Sequence, residues 1–257
     1  MAGIKIERYG KRHNRQTIPL GCGCSIIAGF VLIFICGGLY MTGAFLPLIL
    51  RLTGVESIGS TDTLFENIQP APVISVQNAA PVPPQVVVDL GTYGSENITV
   101  DSRSYTVVTG NTESGSQVAT ATFTEEALLQ LCAERTAACR PSGDGQFRNV
   151  TIDLRPGGAV IYMDVNTGFN WQRIGVVVQL DPGTNTTFRV IGVDVQGITY
   201  NPNTLPLGLG DAVMTAINQI EREGNAVLTQ LALNAGGQRY TLNSVSIDET
   251  HLTLVLR

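Results

Sequence analysis

The stretch WQRIGVVVQLDPGTNTTFRVIGVDVQGITY, residues 171–200, decides the architecture. Ile174, Val176, Val178 and Leu180 share one parity, so an extended chain puts all four on one face of a sheet. Asp181-Pro182-Gly183 then interrupts the run with the residues of a tight turn. Beyond it Phe188 and Val190 keep one parity, but past Gly192 the apolar positions are Val193 and Val195, and past Gly197 they are Ile198 and Tyr200. A change of parity at glycine marks a bulge or a bend. The expectation is an antiparallel sheet that is strongly curved.

Working outward, residues 147–154 and 159–165 are two further strands, parted by Arg155-Pro156-Gly157-Gly158. Four consecutive strands with short connections make a meander. Upstream, residues 118–123 alternate like a strand. Thr124 then offers an N-cap to a helix beginning Glu125-Glu126-Ala127-Leu128-Leu129 and stopping near Arg135, with both acids suited to the helix dipole. Downstream, over residues 207–233, Leu209, Val213, Ala216, Ile217, Ile220, Val227, Leu228 and Leu231 recur at three- and four-residue spacing. That spacing predicts one long amphipathic helix, with a kink or close backbone contact at Gly224. Residues 240–247 and 252–256 are closing strands. The fold class expected for 118–257 is therefore α+β: a curved antiparallel β-sheet wrapped around a long amphipathic helix.

Before this domain lies an uncharged run, residues 18–50. A bilayer core about 30 Å thick needs roughly 20 apolar helical residues, so the run is expected to be one N-terminal transmembrane helix. A cleaved signal peptide has an apolar core of about 7 to 15 residues. Residues 26–46 alone exceed that, which favours a retained anchor. Residues 1–17 carry five basic residues against one acid, Glu7, and beyond Arg51 ten arginines face twenty acids. Basic flanks stay cytoplasmic, so the N-terminus is expected inside and the acidic bulk outside, in a single-pass membrane protein. An acidic ectodomain without a basic patch excludes nucleic acid as a partner. Residues 51–117, rich in Ser, Thr, Gly and Pro, read as a linker with possible short strands at 86–90 and 105–109.

Cys22, Cys24 and Cys36 lie in the uncharged run, where they read as small buried residues, with palmitoylation of the membrane-proximal pair left open. Cys132 and Cys139 lie outside, where disulfides persist. On one continuous helix they would stand about 10 Å apart, so a bridge requires the helix to end between them, as Pro141-Ser142-Gly143 downstream makes feasible.

The chain holds two histidines, His13 in the tail and His251 in the last hairpin. It has no nucleophile elbow, zincin helix, P-loop or dinucleotide fingerprint. Asp164 and Asp194 could approach one another in the sheet, but a solvated outer face accounts for them. No catalytic residue, metal site or cofactor is expected. Asn97, Asn149 and Asn185 each begin an N-x-T triplet, a glycosylation acceptor in hosts that use it. What remains is apolar. Helix and sheet either fill one another as an ordinary core, or leave an apolar groove open to an acyl chain.

Three stretches carry a resemblance: Phe123-Thr124-Glu125-Glu126-Ala127-Leu128, Leu205-Pro206-Leu207-Gly208, and the hydrophobic rhythm of residues 240–256. Across about 118–257 the chain resembles the LmeA-like phospholipid-binding family and the related YpmS-like membrane-anchored proteins, similar to the tubular lipid-binding (TULIP) superfamily. It departs from the pattern where Leu129 stands at a position that is often Asn. The resemblance implies a non-enzymatic bacterial cell-envelope protein whose partners are membrane lipids. Its expected groove lies between Ile174, Val176, Val178 and Leu180 of the sheet and Leu209, Val213, Ile217, Ile220 and Leu231 of the helix. The reading set beside it is a structural or assembly subunit with a solid core.

Overall fold

The computed structural model describes residues 50–257 except 51, 53, 83–84, 100–104, 167–169 and 206–208. The expected transmembrane helix at 18–50 thus lies outside the described residues save for Leu50, and no described helix is long and apolar enough to cross a membrane. The elements run β1 (Ser57–Ser60), α1 (Thr61–Phe65), β2 (Gln77–Pro81), β3 (Gln85–Asp89), β4 (Ser95–Thr99), β5 (Tyr105–Asn111), β6 (Gln117–Thr124) and α2 (Glu125–Arg135). The meander follows as β7 (Phe147–Arg155), β8 (Gly158–Asn166), β9 (Trp171–Leu180), β10 (Phe188–Val195) and β11 (Ile198–Tyr200). Then come α3 (Leu209–Asn218), a π-helical turn (Gln219–Gly224), α4 (Asn225–Gln230), β12 (Ala232–Ala235), β13 (Gln238–Ile247) and β14 (His251–Leu256).

The protein is α+β, built on two curved antiparallel sheets rather than one. The first has six strands in the order β1-β11-β10-β9-β8-β7, and the second eight in the order β2-β5-β6-β14-β13-β12-β3-β4. Bulges bend both. In the first the register slips between Val190 and Gly192 of β10 and between Arg148 and Thr151 of β7; in the second it slips between Leu242 and Ser244 of β13. Gly192 is therefore the bulge that the parity change foretells, and a Cβ there would collide with Thr199 on β11. Gly197 differs. With Gln196 at φ 56° and Gly197 at φ 83°, it closes a two-residue hairpin that turns β10 into β11.

Residues 51–117 are not a linker. They supply β1 to β5 and α1: β1 closes one edge of the first sheet, and β3 sits between β12 and β4 in the second. Composition misleads here because β2, Gln77–Pro81, is exposed along its whole length and so shows no apolar alternation. It is a strand because it pairs with β5. The described residues form one compact unit, and a boundary at Val118 cuts through it.

The single long helix expected over 207–233 is not formed. Two short α-helices joined by a π-helical turn take its place, and the turn ends at Gly224, whose Cβ position meets nothing within 4 Å. The apolar stripe is buried through Val213, Ala216 and Ile217, but α4 has no buried residue.

The first helix forms as its cap foretells. Thr124 Oγ1 accepts the Ala127 N–H at 3.3 Å, and Glu125 Oε1 accepts the Leu154 N–H at 2.7 Å, fastening α2 to β7. The chain turns extended at Thr136 and enters a 3₁₀ turn, Ala137–Cys139. That reversal brings the Cys132 and Cys139 Cα atoms to 5.7 Å, and the two are joined in a disulfide.

Candidate functional site

Most of the expected groove residues meet at the interior face of the first sheet. Ile174, Val176 and Val178 on β9 meet Val213 and Ile217 on α3 in one apolar cluster, with Ile220 of the π turn packed on its margin. Leu180 and Leu231 belong instead to a second cluster, under the eight-stranded sheet. The side chain of Leu209 is outside the described residues. The eight expected groove residues whose side chains are described are thus divided between two cores. Leu50, at the end of the uncharged run, is wholly buried in the first of them.

This face is closed. Val176 and Val213 have no exposed surface, and Ile174, Val178 and Ile217 are 1%, 3% and 5% exposed. A cavity wide enough for an acyl chain would expose its own walls, so sheet and helix fill one another in this conformation.

Polar side chains add to that packing in tying the helical segment to the sheet. Beyond its pairing with β11, strand β10 leaves Phe188 and Val190 with backbone groups facing away from β9. Asn225 answers Phe188 twice, Oδ1 accepting its N–H and Nδ2 donating to its carbonyl, both at 2.7 Å. Glu221 Oε1 accepts the Val190 N–H at 2.6 Å. Three side-chain bonds from the π turn and the start of α4 thus replace a strand at a free sheet edge.

The outer face of the same sheet holds two polar groupings. Asp194 is not solvated: it is 2% exposed, accepts from Thr61 Oγ1, and receives the Gly197 N–H at 3.3 Å, while Thr199 Oγ1 stands 2.8 Å from Thr61 Oγ1. Asp164 lies elsewhere, paired in register with Arg148 of β7 and Arg173 of β9. Arg173 donates to the Asn149 carbonyl at 2.6 Å, to Thr151 Oγ1 at 2.7 Å and to Asp164 at 3.3 Å. Asn149, at φ 52° in the β7 bulge, donates its amide to Asp164 at 2.7 Å. Arg148 lies over Trp171 with Cζ 4.0 Å from the ring centroid. Sequence reasoning passed over this row because each member is an ordinary polar residue until the register aligns them. The one local signal is Trp171 two residues from Arg173, on one face of β9.

Among the described residues no group of three or more His, Cys, Asp or Glu is placed to hold a metal ion. His251 opens β14, with Nδ1 2.7 Å from Thr250 Oγ1. Compared with models of protein families, with curated proteins and with solved structures, the chain matches none.

Proposed function

We propose that the chain is a non-catalytic, single-pass membrane protein whose extracytoplasmic domain binds a phospholipid acyl chain between the first sheet and α3. The uncharged run at 18–50 and the basic residues before it support the anchor and its orientation. The Cys132–Cys139 bridge suits an oxidising compartment. The observation that carries the reading is the apolar interior under α3, covered by a helix with a π turn that Glu221 and Asn225 hold at the sheet edge. π turns recur at functional sites because they break the regular helical ladder.

The closed interior means that the helix must lift to admit a chain. Exposing Val213 and Ile217 costs about 1.5–3 kcal/mol each, whereas an acyl chain gains about 0.8 kcal/mol per buried methylene. Together these are about 3–6 kcal/mol, which about four to eight methylenes taken out of water would offset.

The near-zero exposure of Val176 and Val213 favours a second reading, a solid-core assembly subunit of the envelope. One experiment separates the two. Full-length protein in bilayers containing a phospholipid with a photoactivatable acyl chain is irradiated, and the cross-linked peptides are mapped by mass spectrometry. Adducts on the β9 peptide around Val176 and the α3 peptide around Val213 are expected. Adducts confined to residues 18–50 would discard the lipid reading in favour of the solid core.

A further inference from the structure

The arginine row on the outer face stands apart from the apolar interior. Asp164 and Arg173 alternate with Val165 and Ile174, which are buried in the interior, so the row lies on the opposite side of the sheet from the acyl-chain site and does not rest on that reading. Two arginines meet one carboxylate here, which leaves a local excess of one positive charge in a domain where acids otherwise prevail.

The two arginines are not equivalent. Arg173 spends its donors on Asn149, Thr151 and Asp164. Arg148 spends none in a hydrogen bond among the described residues: its Nε is buried without a partner, 3.7 Å from Asp164 Oδ2. Its guanidinium is nonetheless held in place, by the Trp171 ring beneath it and the Asp164 charge beside it. The side chain is 38% exposed, so the outer edge of the fork is open to solvent. A fixed planar fork with unspent donors is the geometry that takes two oxygens of one phosphate.

We propose that Arg148, seated on Trp171 and facing Asp164, is a binding site for a single phosphate group, either free or carried by a glycerophospholipid headgroup. Asp164 beside the guanidinium disfavours a doubly charged oxyanion relative to a singly charged one.

Trp171 is the sole tryptophan of the chain, so its fluorescence reports on this site alone. Full-length protein in maltoside micelles is titrated with inorganic phosphate and, separately, with dihexanoylphosphatidylglycerol below its micelle concentration. A saturable change in Trp171 emission is expected, weakened about tenfold or more in R148Q and less in R148K, which keeps the charge but loses the fork. R189Q, an exposed arginine on β10, serves as the control and retains the wild-type response. Equal affinities for the two probes identify a free-phosphate site, and tighter binding of the phospholipid identifies a headgroup site. A flat titration with both probes, or an unchanged affinity in a folded R148K and R148Q pair, overturns the proposal. Because acyl-chain cross-linking reads the opposite face, either result can fail without the other.

Discussion

Asp194 illustrates how a single side chain takes its meaning from position. On β10 it alternates with Val193 and Val195, both buried, and a two-faced strand would turn it to water. Instead α1 lies over that face, with Phe65 packed on Val160 and Val177, and Thr61 donates to the carboxylate. Asp89 works at the rim of the second sheet. It accepts the Gly91 N–H at 2.9 Å and an Arg239 N–H at 2.7 Å, and these bonds, the backbone one first, hold its pKa below the ordinary value of 3.8. A carboxylate with a lowered folded pKa adds stability that is present above its unfolded pKa and disappears as pH falls through the folded one. Chemical denaturation of wild type and D89N from pH 7 downward should therefore show wild type more stable at neutral pH. The gap should close below the ordinary carboxylate range. A gap that stayed constant with pH would mean that Asp89 contributes no charge-dependent stability.

Among the elements, α2 and the π-interrupted helix depend on different kinds of restraint. The α2 helix has a side-chain cap, a tie to β7 and a disulfide closing its C-terminal turn. By loop entropy a bridge across so short a loop contributes about 2–3 kcal/mol. The C132A/C139A double variant should lose about that much in urea unfolding, and reductant should lower wild type to the level of the variant. Agreement of all four curves would show the bridge to be energetically silent. The segment from α3 to α4 has no such staple. Its far half has no fully buried residue and is held by polar side chains, Glu221 and Asn225 on a bare strand edge and Gln230 on Thr92, so it is an element suited to lift.

For the molecule as a whole, the controlling fact is that the N-terminal third of the described chain completes both sheets. Removing residues before Val118 strips β5 from β6, takes β3 from β12, and uncovers β11 by removing β1. A fragment of residues 118–257 should then aggregate or melt without a cooperative transition, whereas residues 46–257, the compact unit, should melt cooperatively by circular dichroism. Cooperative melting of the shorter fragment would show that the early strands are accessory.

The residues that read truly from sequence are those whose role is local. Alternation on β9, the Thr124 cap, the parity change at Gly192 and the strands of the meander all follow from backbone geometry within a few positions. Burial of Ile174, Val176 and Val178 against Val213 and Ile217 follows from apolar periodicity meeting across one interface. What only the tertiary structure decided is nonlocal. Strand β2 is fully exposed and exists through pairing with β5, Gly197 turns a hairpin because β11 folds back on β10, and the helix breaks into a π turn from which Glu221, with Asn225 just beyond it, serves a distant strand edge. The same holds for Arg148, Asp164 and Arg173, from three strands, which become a row only when register aligns them. Sequence determines which face a residue prefers, because that preference is carried by its own side chain and its neighbours. Which partner it meets there depends on hydrogen bonds between segments far apart in the chain, and only the folded sheets specify those.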